Sequence, residues 1–332
     1  MTNLCNYSCD FCIQGTKEMH VEAARGESRE LRSRICEAII GLVENLKGFR
    51  KLDVYLIGGE VTFLNDFPAL LEKLASCRFP GDMSFRITTN LSMPAETYCQ
   101  LCEIIKRHDR IGRRRSFHIG ASFYRSYTSW ESFAAKLIEI ADREVSWPRS
   151  PITRMARKLG ERVLCSPIKL GVGIPLLADE DFDLLESARA SMWEHRISVT
   201  PIIMRKYATT ISERNLGTVI AQGRNGIRVT YSDGSIRDFE NIQALGASLG
   251  GTETFCPRGY LCDAGTSSIS IGPKGNVERC PVIGGTMHLG SLLDGTYAGL
   301  AELAPCTADH CSCNYYNVII KGDSAIRAAI NP

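Results

Sequence analysis

The chain has 332 residues, a formal net charge of +2 and an ordinary apolar fraction of 44%, enough for two domains with sizeable cores. The balanced charge gives no argument for a nucleic-acid or membrane partner, and no apolar run approaches the ~18 residues of a membrane span. No secretory leader is evident, so the fourteen cysteines read as metal ligands and buried thiols of a cytoplasmic protein, not as a disulfide scaffold.

The elements follow in chain order. Leu31, Ile35, Ile39 and Leu42 recur at helical spacing, which predicts a helix from Arg29 to about Leu46. Lys51 to Ile57 is a β-rich run ending at Gly58-Gly59, Phe67 to Ala75 is helical, and Met83 to Thr89 is a strand ending at Asn90. A helix from Pro94 to Arg107, a strand from Phe117 to Phe123, a helix from Trp130 to Asp142 and a strand from Ile168 to Ile174 come next. Asp179 to Met192 is a helix with an acidic start, favoured by the helix dipole, and Ile197 to Met204 is a further strand. Strict alternation of strand and helix predicts a parallel sheet with helices outside it, and chemistry at the C-terminal ends of its strands. After Met204 the alternation stops. Gly226 to Glu240 reads as a hairpin about Ser232-Asp233-Gly234, and the remainder is rich in cysteine and glycine.

Two cysteine groups stand out. The first, Cys5-x3-Cys9-x2-Cys12, has an aromatic before its last member. Ordinary iron–sulfur clusters take four cysteines; three thiolates in one tight loop leave one iron open to an outside ligand. Zinc is the rival, poorly served because His20 is the one nearby fourth ligand. The second group contains Cys256, Cys262, Cys280, Cys306, Cys311 and Cys313, more than one cluster needs, and here a structural zinc site competes with iron–sulfur. Cys36, Cys77, Cys99, Cys102 and Cys165 lie singly or on helical patterns and read as inert buried thiols. The basic run from Lys106 to Arg115 precedes a strand, on the face away from the chemistry, and reads as a solvated charged loop. The segment from Trp147 to Cys165 lengthens one crossover.

The pattern C-x3-C-x-aromatic-C resembles the signature of the radical S-adenosylmethionine (radical SAM) superfamily. Leu56-Ile57-Gly58-Gly59-Glu60 resembles the family's glycine-rich segment beside the amino group of S-adenosylmethionine. Thr88-Thr89-Asn90 and Ser122 fall where the family places polar contacts to that cofactor. Tyr124, Arg125 and Tyr127 would face the substrate cavity, and Arg205, with Lys206, would meet a carboxylate. The C-terminal C-x12-G-x4-C, from Cys262 through Gly275 to Cys280, resembles the opening of SPASM and twitch extensions.

The resemblance implies a partial (β/α)6 TIM-like barrel over residues 1–205. It also implies a bridging hairpin and SPASM/twitch-like domain over 206–332, with the boundary placed loosely at 205–250. It implies a [4Fe-4S] cluster on Cys5, Cys9 and Cys12, with S-adenosylmethionine as cofactor and Gly58, Gly59, Glu60, Thr89, Asn90, Ser122 and Arg205 around it. An auxiliary [4Fe-4S] cluster would take Cys262, Cys280, Cys311 and Cys313, with Cys306 as the closest substitute. The activity implied is reductive cleavage of S-adenosylmethionine to a 5′-deoxyadenosyl radical that abstracts hydrogen from a substrate carbon. A reductant such as flavodoxin or ferredoxin would supply the electron. The substrate would be a ribosomal peptide, or alternatively a nucleoside or other small metabolite. A non-catalytic iron–sulfur or zinc protein is the remaining alternative. Only four residues precede Cys5, where the family usually has an apolar strand, so a truncated barrel edge is expected.

Overall fold

The structure is a computed structural model that describes residues 5–7, 9, 27–110, 112–145, 166–203, 227–230, 236–239, 261–262, 264–266, 268–280, 288–302 and 304–307. The chain forms two compact units, Met1–Ser212 and Glu213–Pro332.

In the first unit the described elements run α1 (Arg29–Asn45), β1 (Lys51–Leu56), a 3-10 turn (Val61–Phe63), α2 (Phe67–Ser76), β2 (Asp82–Thr89), α3 (Ala95–His108), β3 (Arg115–Ser122), α4 (Trp130–Glu144), β4 (Ile168–Leu176), α5 (Asp181–Trp193) and β5 (Ser198–Ile203). Several helix starts have a local cause. Ser28 accepts the Leu31 amide at 3.0 Å, Ser129 accepts that of Ser132 at 3.2 Å, and α2 opens on Pro68.

All five strands pair in parallel and in sequential order, β1-β2-β3-β4-β5. Sequential order with right-handed crossovers puts every helix on one face. Alternation along the strands shows which face that is. Met83, Phe85 and Ile87 of β2, Phe117 and Ile119 of β3, and Ile168, Leu170 and Val172 of β4 are all buried. They share the core with Leu71 and Leu74 of α2, Leu101 and Ile105 of α3, and Leu137 and Ile140 of α4, at ~1.5–3 kcal/mol per buried side chain. The intervening residues, among them Ser84, Arg86, Ser116 and His118, occupy the helix-free inner face. The expectation of a truncated edge ahead of Cys5 falls outside the described residues.

The basic run departs from expectation. Arg107 and Arg110 are exposed as expected, but Arg113, Arg114 and Arg115 form a clamp beneath the sheet. Arg115 is 1% exposed and donates to the carbonyls of Ala75, Gly81, Arg114, Cys77 and Phe79 at 3.0–3.4 Å. Arg113 holds the carbonyls of Cys77 and Phe79, Arg114 pairs with Asp109, and Arg107 and His108 both meet Glu72. A charge run is read as solvated because its neighbours in sequence are polar; here a turn of outward-facing carbonyls closes over it. The thiols of Cys36, Cys77, Cys99 and Cys102 are buried as expected. Burial pushes Cys36 and Cys99 up to about 11 and raises Cys77 and Cys102, so these are packing groups. Cys165 lies outside the described residues.

In the second unit β6 (Ile227–Thr230) and β7 (Ile236–Phe239) form the anticipated antiparallel hairpin. Two further sheets follow. One pairs β8 (Leu261–Cys262) with β12 (Ala304–Pro305). The other joins β9 (Ser270–Ile271), β10 (Asn276–Glu278) and β11 (His288–Ser291). Gly275, at φ +85, turns the β9–β10 hairpin, its amide donating to Gly272 O at 3.0 Å.

Candidate active site at the C-terminal end of the parallel sheet

The strand ends converge on one carboxylate. After β1 the chain bends through Gly58-Gly59 and turns inward at Glu60, whose side chain is fully buried. Its Oε1 accepts the Thr62 hydroxyl at 2.6 Å and the Thr62 amide at 3.3 Å, which starts the 3-10 turn. Oε2 accepts the Asn90 amide at 2.7 Å, and the Thr89 hydroxyl lies 2.9 and 3.0 Å from the two oxygens. Glu60 thus ties the end of β1 to the end of β2. Burial raises its pKa, opposed by these hydrogen bonds. Behind it, Tyr98 of α3 reaches Thr89 Oγ1 at 3.0 Å, and burial followed by the Glu60 charge pushes its phenol up to about 12.

The loop leaving β2 is held as firmly. Leu91 adopts φ +57, unfavourable for a branched side chain. Its amide donates to Thr89 Oγ1 at 3.0 Å, Asn90 Oδ1 accepts the Ser92 amide at 3.1 Å, and Lys136 Nζ reaches Leu91 O at 2.8 Å. Strain of this kind persists where the surroundings over-determine it, and here it aims Asn90 at the cysteine loop. Asn90 Nδ2 donates to Asn6 Oδ1 at 2.6 Å and lies 3.9 Å from Cys5 Sγ. Between Cys5 and Cys9, the Tyr7 ring stacks on Tyr127 at 3.9 Å, 6° from parallel, and meets Tyr124 edge-on at 6.0 Å. Burial raises the Tyr7 phenol, reinforced by the nearby charges of Glu60, Cys9 and Cys5. Ser122, at the end of β3, is 8% exposed.

Sequence reasoning therefore selected residues that the fold brings together: Cys5, Cys9, Glu60, Thr89 and Asn90. Cys12, Arg205 and Lys206 lie outside the described residues, as do Cys256, Cys311 and Cys313. Thr62, Tyr98, Leu91 and Lys136 were missed. Only their contact with Glu60 and Thr89, or with the loop that follows, marks them, and no spacing rule predicts contact between separate elements. In the second unit, Cys262 stands opposite Ala304 in the β8–β12 pairing, and Cys280 packs against buried Ala264 and Cys306. Among the described residues no three His, Cys, Asp or Glu side chains converge as a metal site.

Residues 1–112 match the Radical SAM superfamily. The match spans the cysteine loop and the strand ends that carry Glu60, Thr89 and Asn90. The chain is also similar to two solved structures. One is described as hexahistidine-tagged anSMEcpe with bound AdoMet (TM-score 0.50, 13% identity, 100% of this chain and 82% of that one). The other is described as native anSMEcpe with bound AdoMet and Cp18Cys peptide (TM-score 0.50, 12% identity, 100% and 81%). At such identities the likeness is one of fold. No curated protein matches the chain.

The donor set fits the group this match implies. Thiolates are the ligands iron–sulfur clusters take. Cys5 and Cys9 are half-buried on one loop, and the first of them is touched by an amide from the strand end that Glu60 anchors.

Proposed function

We propose that this protein is a radical SAM enzyme. Its carrying observation is the placement of Cys5 beside Asn90, Tyr7 and the buried Glu60 at the C-terminal end of a sequentially ordered parallel sheet. Cys5, Cys9 and Cys12 would hold a [4Fe-4S] cluster, with S-adenosylmethionine bound beside it. When bound, these groups supply reductive carbon–sulfur cleavage and hydrogen abstraction from a substrate carbon. The chain's own residues bind, orient and shield. Asn90 fixes the cysteine loop through Asn6, and Glu60 and Thr89 fix Asn90. The Tyr7–Tyr127 stack covers one side of the loop against water. Gly58 and Gly59 let the backbone approach a ligand closely, and Ser122 would add a polar contact at the end of β3. Cys262, Cys280, Cys311 and Cys313 would hold an auxiliary cluster, with Cys306 as the closest substitute; Cys280 packs against the small core of Ala264 and Cys306.

The test is anaerobic purification and reconstitution, an iron count, and S-adenosylmethionine cleavage with dithionite. About eight irons per chain are expected for two [4Fe-4S] clusters, with release of 5′-deoxyadenosine that is lost in Cys5→Ala, Cys9→Ala and Cys12→Ala. Zinc in the N-terminal loop, or no 5′-deoxyadenosine from iron-replete protein, would overturn the reading.

A further inference from the structure

The inner face of the sheet carries one row that the cofactor chemistry does not use. The strand register places Tyr55, Arg86, His118 and Lys169 side by side across β1, β2, β3 and β4. Three neighbouring strands thus each present a basic side chain at the same level. Like charges directly opposite one another destabilise a sheet, so a charged His118 between Arg86 and Lys169 costs stability unless something offsets it. Among the described residues nothing acidic does. Asp53, one level down on the same face, is paired with Lys51 at 2.9 Å. The charges that reach His118 are those of Arg86 and Lys169, and with burial as the leading cause they lower its pKa.

Two details show a site built to be filled. Arg86 lies against the Tyr55 ring, its guanidinium 5.3 Å from the centroid, yet its Nε is buried with no hydrogen-bond partner. Above the row the same face carries Gly120 and Gly171, then Gly173. A Cβ at Gly171 would come within 2.7 Å of Ser198 Oγ and 3.2 Å of His118 Nε2. The missing side chain is what lets the imidazole lean over β4; above it, the place of a Gly173 side chain is taken by Ile202, whose Cδ1 lies 2.4 Å from where that Cβ would be.

Resting on the radical SAM reading of the upper site, we propose that Arg86, His118 and Lys169 bind an anionic head of the substrate, a carboxylate or a phosphate. Arg86 offers the fork geometry such oxyanions take, and Lys169 a mobile point charge. His118 is neutral when the row is empty and is the group that gains a proton once a negative charge arrives. Four residues of strand separate Arg86 from Asn90, roughly 13 Å at 3.3 Å per residue. The substrate must therefore be long enough for its anion to rest on the row while a carbon lies near the cysteine loop.

The test is thermal unfolding of the full chain at fixed ionic strength, with sodium chloride replaced by inorganic phosphate in one arm and by sodium acetate in the other. A saturable rise in Tm is expected in at least one arm, and the arm that responds names the head group. Arg86→Gln and Lys169→Gln should each weaken that binding about tenfold or more. Arg29→Gln, which removes the same charge from the exposed start of α1, should keep the rise. As a second measurement, the His118 imidazole resonance, identified by its loss in His118→Asn, should titrate at higher pH when the responding anion is present. No rise beyond chloride in either arm, an equal rise in Arg86→Gln and Lys169→Gln, or an unmoved His118 titration overturns the assignment. None of these readouts depends on S-adenosylmethionine cleavage, so this proposal and the enzyme reading fail separately.

Discussion

Replacing Glu60 by Gln swaps one acceptor oxygen for a donor at a site ringed by donors. Four groups point at the carboxylate: the Thr62 amide and hydroxyl, the Thr89 hydroxyl and the Asn90 amide. The least costly amide orientation keeps oxygen toward Asn90 and Thr89 and turns NH2 toward Thr62, whose hydroxyl can rotate to accept. The Thr62 amide is then stranded, at about 1–3 kcal/mol for a buried unsatisfied donor. The two remaining bonds fall from charge-assisted to neutral strength, about 1 kcal/mol each. Relief from burying a charge offsets part of this, because the raised pKa shows that the hydrogen bonds do not fully repay burial. A net loss of about 2–3 kcal/mol remains, a fall in Tm of roughly 4–12 °C for a unit of this size. Thermal unfolding of wild type and Glu60→Gln, both without S-adenosylmethionine, measures it directly. The pH dependence has a definite sign. A carboxyl whose folded pKa is raised binds its proton more tightly folded than unfolded. Its stabilising contribution is therefore greatest below the ordinary carboxylate range and is lost as pH rises through the folded value. The wild-type margin over Glu60→Gln should shrink over that interval. A variant that melts within a degree of wild type would refute the fastening role and leave Glu60 as a ligand contact alone.

Four other outcomes follow from the same geometry. Arg115→Met removes the guanidinium donor from the carbonyls of Ala75 and Gly81, while Arg113 and the Met83 amide still serve those of Cys77, Phe79 and Arg114, and should cost about 2–4 kcal/mol in urea unfolding. Tyr127→Leu removes the Tyr7 stack, worth about 0.5–1.5 kcal/mol; it should speed loss of N-terminal iron to chelator, while Tyr127→Phe retains wild-type kinetics. Cys280→Ala should lower the iron count by about four per chain while leaving S-adenosylmethionine cleavage detectable, since a cluster with four ligands is disrupted by losing one. His118 has a lowered folded pKa, so in anion-free buffer the unfolded chain takes up its proton first as pH falls below about 6.5. Stability should decline from there down to the folded value, and His118→Asn should flatten that decline.

Much of this was legible before any coordinates. The five described strands and five described helices of the first unit fall within a few residues of the periodic pattern, because each strand buries one face against helices and each helix one stripe against the sheet. The cysteine loop, Glu60 and the Thr89-Asn90 end were legible because glycine pairs and strand-terminal polar residues mark places where backbone must bend or meet a ligand. Arg115 was misread for a physical reason. Whether a charge is solvated depends on which carbonyls the tertiary fold brings over it, and the turn from Ala75 to Gly81 is forty to thirty-four residues away in sequence. The row Tyr55, Arg86, His118 and Lys169 was invisible for the same reason. Each residue is ordinary in its own strand, and only parallel register brings them level.

That register also separates two tasks along one surface. Parallel strands align residues at equal heights, so each level of the inner face is a ring drawn from different parts of the chain. At the upper level stand Asn90, Ser122 and Gly173, polar or small, beside the cysteine loop. Two levels below stand Arg86, His118 and Lys169. Radical chemistry needs its target carbon held still and clear of competing hydrogen donors, which favours anchoring a substrate by a distant charged head rather than near the reacting atom. A positive floor two levels below the cysteine loop meets that need, with Gly120, Gly171 and Gly173 on the strands between. Substituting Gly173 by Val tests the point: its Cβ would meet Ile202 Cδ1 at 2.4 Å, and the displaced side chains would narrow the passage. Substrate turnover should then fall further than S-adenosylmethionine cleavage measured without substrate; equal losses in both would mean that Gly173 serves the sheet and not the substrate.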